Sequence, residues 1–193
     1  MAIFYLKYLT MWKYIKGATS QETWLNHSGQ EIVFWGRSNV GKSSLINALA
    51  NNKIAKTSQN PGRTKIINYF ESDLKKIIVD LPGYGYAKLS KKEQDKISKM
   101  IDIYFNNSNI DKHVILLVDA KVGFMALDWE MINYINQTNN KLTIVATKVD
   151  KASQAQIYKL KSEFMSKFID GDIFLVSSSK NKGILELKEY LAI

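Results

Sequence analysis

Eight residues, Gly36-Arg37-Ser38-Asn39-Val40-Gly41-Lys42-Ser43, constrain this chain more than any other stretch. They fit G-x-x-x-x-G-K-[ST]. They lie between an apolar run, Ile32-Val33-Phe34-Trp35, and a run of helical character, Ser44-Leu45-Ile46-Asn47-Ala48-Leu49-Ala50. Strand, glycine-bearing loop and helix in that order are the setting in which this pattern binds phosphate. Glycines let the backbone wrap an anion, while amide N–H groups and the helix N-terminus supply positive potential. Gly36 to Ser44 are therefore the candidate phosphate cradle, with Lys42 reaching the β- and γ-phosphates and Ser43 ligating magnesium. A chance glycine turn is the competing explanation, but it accounts for neither the strand before nor the helix after.

A phosphate loop does not name the base. Thr147-Lys148-Val149-Asp150 follows the apolar run Leu142-Thr143-Ile144-Val145-Ala146 and fits the [NT]-K-x-D box of GTPases. Guanine offers two donors side by side, at N1 and the 2-amino group, and Asp150 can accept both. Adenine would leave that carboxylate unpaired, a discrimination on the order of 10⁴-fold. The aliphatic stem of Lys148 can pack on the base plane. Thr147 keeps a hydroxyl where many GTPases carry Asn. Ser177-Ser178-Ser179 follows Ile173-Phe174-Leu175-Val176, and the Ser178 N–H is placed to meet guanine O6, with Ser177 and Ser179 beside it.

Two further loops fall in the required order. Asp80 ends the run Lys75-Lys76-Ile77-Ile78-Val79 and precedes Leu81-Pro82-Gly83. Asp80 is expected to hold magnesium through water, and the Gly83 N–H to sense the γ-phosphate. Thr64, in Pro61-Gly62-Arg63-Thr64, is the candidate second magnesium ligand, in a loop that closes on the triphosphate. Lys42, Thr64 and Gly83 are thus the candidate catalytic residues. Ser43, Thr64 and Asp80 are the candidate metal ligands.

Scarce residues gather in these loops. Both prolines (Pro61, Pro82), both arginines (Arg37, Arg63) and five of the ten glycines lie there, while Lys, Asn and Ile dominate elsewhere. Together GRSNVGKSSLIN at 36–47, PGRT at 61–64, DLPGYGYAK at 80–88, TKVD at 147–150 and SS at 177–178 resemble the EngB (YihA/YsxC) family of GTPases. The likeness runs from about residue 14 to the end. It implies a small Ras-like GTPase that binds GTP or GDP with magnesium and acts in assembly of the large ribosomal subunit. The implied partners are that subunit or its precursor, with its rRNA. Trp35 is bulkier than the small residue expected before the loop, and Ser179 stands where many GTPases have Lys against the base.

Composition agrees. A chain of 193 residues is expected to form one GTPase domain, with residues 1–30 as an N-terminal arm. Zero cysteines exclude disulfides and thiolate metal sites and fit a reducing, cytoplasmic setting. No run reaches 18 apolar residues, so no transmembrane segment is expected. Met1 to Lys16 mixes apolar residues with lysines and lacks a signal-peptide core. It reads as a first strand or docked arm, with a membrane-surface or targeting element as the alternative. A monomer is expected.

Apolar runs at 31–35, 66–70, 75–80, 113–119, 141–147 and 172–176 alternate with helical stretches at 43–50, 91–106, 126–138, 152–168 and 183–191. This order predicts an α/β P-loop GTPase (Ras-like) fold in three layers. Its sheet has six strands, mostly parallel, with helices on both faces. The runs at 66–70 and 75–80 are too close for a crossover and must form a hairpin, giving one antiparallel edge strand.

The net charge of +9 favours a polyanionic partner. Lys88, Lys92, Lys96 and Lys99 form a stripe on the helix after Gly83, read equally well as an RNA contact or a solvated face. Lys53, Lys56, Arg63 and Lys65 add charge in the other loop. Arg63 suits RNA contact or loop structure better than a catalytic finger. Tyr84 and Tyr86 can stack on bases or simply pack. Tyr84 follows Gly83 where many GTPases place the Gln that orients the attacking water, so slow hydrolysis is expected, with help from a partner or an ion. In GTPases with Asn at position 39 of this loop, that residue can help hold a potassium ion; here Asn39 fits that role or merely the loop backbone. His27 and His113 suit surface or strand-end positions. Asp119 can support the nucleotide pocket or cap the next loop. A signalling or membrane-associated GTPase switch with a protein partner is the competing class.

Overall fold

The computed structural model describes residues 11–56, 66–85, 89–106, 109–167 and 173–193. Strands β1 (Lys13–Ala18), β2 (Glu31–Gly36), β3 (Ile67–Glu71), β4 (Ile77–Asp80), β5 (Lys112–Asp119), β6 (Lys141–Thr147) and β7 (Ile173–Leu175) form one sheet in the order β1-β3-β4-β2-β5-β6-β7. The helices are α1 (Lys42–Ala50), α2 (Lys91–Asn106), α3 (Ala126–Asn136), α4 (Gln154–Lys167) and α5 (Ile184–Leu191).

Strand β2 pairs in parallel with β4 and β5, and β5, β6 and β7 continue in parallel. The expected hairpin is β3–β4, antiparallel from Asn68↔Asp80 to Glu71↔Ile77. The apolar runs predict six strands and the structure has seven. The additional one is β1, antiparallel to β3 on its outer side. It is the first strand that the N-terminal residues suggested. Its sequence, Lys-Tyr-Ile-Lys-Gly-Ala, carries no long apolar run because most of it faces solvent at the margin of the sheet.

Period-2 alternation divides the inner strands between two cores. Ile32 and Phe34 of β2, with Ile115 and Leu117 of β5, pack against Leu45, Ile46 and Leu49 of α1 and Leu187 and Leu191 of α5. Val33 and Trp35, with Val114, Leu116 and Val118, face Ile97, Ile101, Tyr104 and Phe105 of α2, Ile132 and Ile135 of α3 and Leu160 and Phe164 of α4. The three layers are therefore α1/α5, sheet, and α2/α3/α4. Chain order reverses at β2, with β4 on one side and β5 on the other. Folds of this kind bind ligands past the carboxyl end of the strands at such a point. Gly36 ends β2 there.

Candidate nucleotide-binding site

The phosphate loop is shaped by its glycines. A Cβ on Gly36 would come within 2.9 Å of the Leu117 carbonyl oxygen and 3.0 Å of Val40 Cγ1, so no larger residue fits. Gly41 has φ 105° and precedes α1, a conformation L side chains rarely adopt. Asn39 is also left-handed, at φ 64°. The first turn of α1 holds Lys42, Ser43 and Ser44, and its N–H groups lack intrahelical partners. Asn47 in α1 anchors the chain beyond the helix: its Oδ1 accepts from the Ile54 and Ala55 N–H groups at 3.0 and 2.8 Å.

Lys42, 8% exposed, pairs its ammonium with Oδ1 of Asp80, which is 3% exposed. A candidate phosphate ligand at the start of α1 thus meets a candidate metal ligand at the end of β4. The Asp80 carboxylate and the hydroxyl of Ser43, the residue after Lys42, are the hard oxygen donors that suit magnesium.

The base end is bolted to the phosphate loop. Thr147 Oγ1 donates to the Val40 carbonyl at 2.6 Å, with the Val118 carbonyl at 3.2 Å. Lys148 has a left-handed backbone (φ 57°). Its Nζ donates to the Asn39 carbonyl at 2.6 Å and to Asp119 Oδ2 at 2.7 Å. Asp119 Oδ1 accepts the Lys121 N–H at 2.9 Å, so this aspartate both supports the pocket and caps its loop. Asp150 is exposed, ready to meet a ligand. The Ser177 hydroxyl donates to Asp150 Oδ1 at 2.6 Å and Ser179 donates to Oδ2 at 3.1 Å. The Ser177 bond, then the Ser179 bond, hold the Asp150 carboxyl below its usual range. Each oxygen keeps a lone pair for a guanine donor. Ser179, in place of the lysine many GTPases carry, thus helps to orient the Asp150 carboxylate.

On the opposite side, the chain after Asp80 straps onto the same loop. Leu81 N–H donates to the Phe34 carbonyl at 3.2 Å, Tyr84 N–H to Gly36 O at 3.2 Å, and Ser38 N–H to Tyr84 O at 2.9 Å. Trp35 Nε1 donates to the Pro82 carbonyl at 3.0 Å. Its indole packs edge-on against Tyr84, ring centroids 5.3 Å apart. The bulk of Trp35 therefore serves to hold the Pro82–Tyr84 segment. The Tyr84 ring is buried, and its hydroxyl donates to Asp128 Oδ1 at 2.9 Å. Burial first, then the nearby Asp128 charge, push the phenol well above its ordinary value. It neither ionises nor stacks freely on a base.

Arg37 is placed differently from a phosphate ligand's side chain. Its Nε donates to Asp128 Oδ1 at 3.0 Å and its terminal nitrogen to the Gly123 carbonyl at 3.3 Å. Its part in the cradle is left to its backbone. Pro61, Gly62, Arg63, Thr64, Lys65, Tyr86 and Lys88 lie outside the described residues. Asp128 escapes notice in the sequence. Its one signal is its place as an acid in the first turn of α3, where Oδ2 accepts the Met125 N–H at 2.8 Å. His113 is buried in β5 against Thr143, and His27 bonds Glu31 at 3.0 Å; both lie away from the loops.

Similarity to known proteins points the same way. The residue pattern of the family described as 50S ribosome-binding GTPase matches residues 31–148. A probable GTP-binding protein EngB of Metamycoplasma arthritidis (strain 158L3-1) is 56% identical over 183 residues, covering 95% of this chain and 100% of that protein. Its namesake in Aquifex aeolicus (strain VF5) is 46% identical over 159 residues, covering 81% and 86%. A crystal structure of a probable GTP-binding protein EngB superposes with a TM-score of 0.68 at 27% identity, covering 84% of this chain and 96% of that one. Fold and site together define a P-loop GTPase, an enzyme that binds GTP and GDP and hydrolyses the former. Within that class the chain belongs to the EngB family of GTP-binding proteins.

Proposed function

We propose that this GTPase acts in assembly of the large ribosomal subunit, gripping rRNA of pre-ribosomal particles in one nucleotide state and releasing it in the other. The observation that carries this reading is the match of residues 31–148 to the 50S ribosome-binding GTPase family. Charge supports it. The chain carries +9, and Lys91, Lys92, Lys96 and Lys99 are exposed on α2, soon after the segment that straps the phosphate loop. Lys53 and Lys56 are exposed beyond α1. Such a surface favours phosphate backbone, with affinity that falls steeply with salt. No helix among the described residues is long and apolar enough to cross a membrane. The protein works as one cytoplasmic, monomeric GTPase domain.

Within this reading, the amides of Gly36–Ser44 cradle the phosphates and Lys42 spans the β- and γ-phosphates. Asp150 reads N1 and the 2-amino group of guanine, and the Ser178 N–H meets O6. Ser43 and Asp80, with Thr64, are the residues that would hold magnesium, which neutralises charge on the phosphate oxygens when bound. The Gly83 N–H reports the γ-phosphate. Hydrolysis in isolation is slow, because Tyr84 follows Gly83 where many GTPases place the Gln that orients the attacking water. Asn39 is the candidate potassium ligand, and equal rates in sodium and potassium would remove it.

Co-sedimentation with mature and immature large subunits tests the partner, comparing a non-hydrolysable GTP analogue, GDP and no nucleotide across a salt series. Binding favoured by the analogue and lost with salt is expected. Binding that ignores the nucleotide, or its absence from both particles, overturns the assembly role and leaves a GTPase with another partner.

A further inference from the structure

One carboxylate oxygen joins the phosphate loop to the segment that follows Asp80. Asp128 is fully buried at the start of α3. Its Oδ1 accepts from Arg37 Nε (3.0 Å), the second residue of the phosphate loop, and from the Tyr84 hydroxyl (2.9 Å), the residue after Gly83. Its Oδ2 accepts from the Met125 N–H (2.8 Å), so each oxygen has a donor and the charge has a guanidinium beside it. The same two residues also pair through their backbones as a parallel bridge.

Packing alone does not fix that segment. A cavity of about 570 Å³ between α2 and α3 is lined by Gly83, Tyr84 and Gly85, together with Ile101, Leu127 and Met131. Gly83 and Tyr84 are buried at the wall of this cavity, and Gly85 is exposed. What holds them is the set of hydrogen bonds to Gly36, Ser38 and Asp128, with the Tyr84 ring against Trp35. A helix cap alone would need neither Arg37 nor Tyr84.

We propose that Asp128 is a positioning residue for GTP hydrolysis: by holding Arg37 and Tyr84 together it sets the Gly83 N–H against the phosphate loop. Asp128 touches no nucleotide in this scheme. It acts through the loop spacing, where a displacement of about 1 Å can cost on the order of 100-fold in rate. The inference rests on the GTPase reading of the site and is independent of the ribosomal partner.

The test compares Asp128→Asn, Tyr84→Phe and the double variant in single-turnover GTP hydrolysis, alongside GDP affinity and melting temperature. Tyr84→Phe keeps the ring on Trp35 and the Arg37–Asp128 pair, so it carries the test if Asp128→Asn does not fold. Each single variant is expected to lower the hydrolysis rate by about 10-fold to 100-fold while GDP affinity stays within about threefold, the signature of an interaction used after binding. The double variant is expected to match the slower single variant, because both remove the same tie. Hydrolysis within twofold of the parent in Tyr84→Phe, multiplicative losses in the double variant, or an equal loss of GDP affinity would each overturn the proposal and leave Asp128 as a cap that only stabilises α3.

Discussion

The two flanks of the phosphate loop are held in opposite ways. On the base side, Thr147 and Lys148 reach across from the end of β6 and donate to the carbonyls of Val40 and Asn39. Thr147 ends a strand buried among parallel neighbours and Lys148 follows it, and Asp119, Ser177 and Ser179 fix the groups around them. On the other side, the strap is mostly main chain: Tyr84 bonds Gly36 and Ser38 through its own amide and carbonyl, with an open cavity behind it. The groups proposed to read the base are thus held by one another's side chains. The hydrolytic side depends on a few exchangeable bonds. A switch needs that asymmetry, since a site equally tight on both flanks would bind without changing shape.

The largest test of this contrast is Asp150→Asn. It exchanges an acceptor for a donor at a group whose orientation is already fixed, so preference between GTP and XTP should shift by on the order of 10⁴-fold. Competitive nucleotide titration measures it, and an unchanged GTP preference would show that the base is read elsewhere. Next comes Lys42→Ala, at the junction of the two flanks. Loss of a charged donor to phosphate should weaken GTP binding by about 3 kcal/mol, roughly 100-fold. Loss below threefold in fluorescent-nucleotide binding would take Lys42 out of the phosphate contacts.

Acid probes the footing of the base side. His113 bonds Thr143 of β6, the strand that ends in Thr147. Burial first, then the Lys141 charge, lower the His113 value from 6.5 to about 4. The unfolded chain therefore takes up this proton first as pH falls. Stability is intact above about 6.5 and declines toward 4, by at most about 3 kcal/mol. Urea unfolding at pH 7 and pH 4.5 should show the loss, and His113→Gln should flatten it; an identical acid response in that variant would assign it to other groups. The smallest effect is expected for Ser177→Ala. Asp150 then loses its shorter hydrogen bond, its carboxyl moves back up, and GDP affinity drops severalfold at neutral pH. The drop should grow as pH falls, because a carboxyl with a higher value protonates sooner. A pH-independent difference in calorimetric titration would mean that Ser177 acts by packing alone.

Most of this arrangement was legible in the sequence because it is local. Gly36–Ser43, Asp80–Gly83 and Thr147–Asp150 each end an apolar run, so their strand–loop setting could be read directly. β1 was harder to count, since an outer strand half in water shows no apolar run. Asp128 was invisible for another reason: its partners lie 91 and 44 residues away, and no spacing rule links them. Ser179 looked like a missing lysine until the fold brought its hydroxyl to Asp150. The roles of Trp35 and Asp119 likewise depend on neighbours that only the sheet order supplies.

The bonds from Lys148 and Thr147 to the phosphate loop have one more consequence. They make the site a ruler. If Asp150 reads the base and Gly36–Ser44 hold the phosphates as proposed, these bonds keep the two subsites at a fixed separation, and one guanine nucleotide would join both. The second contact then forms at a high effective concentration. On that proposal guanosine alone and pyrophosphate alone would engage one end each and gain none of that advantage, so the protein would measure the length of its ligand as well as the identity of its base.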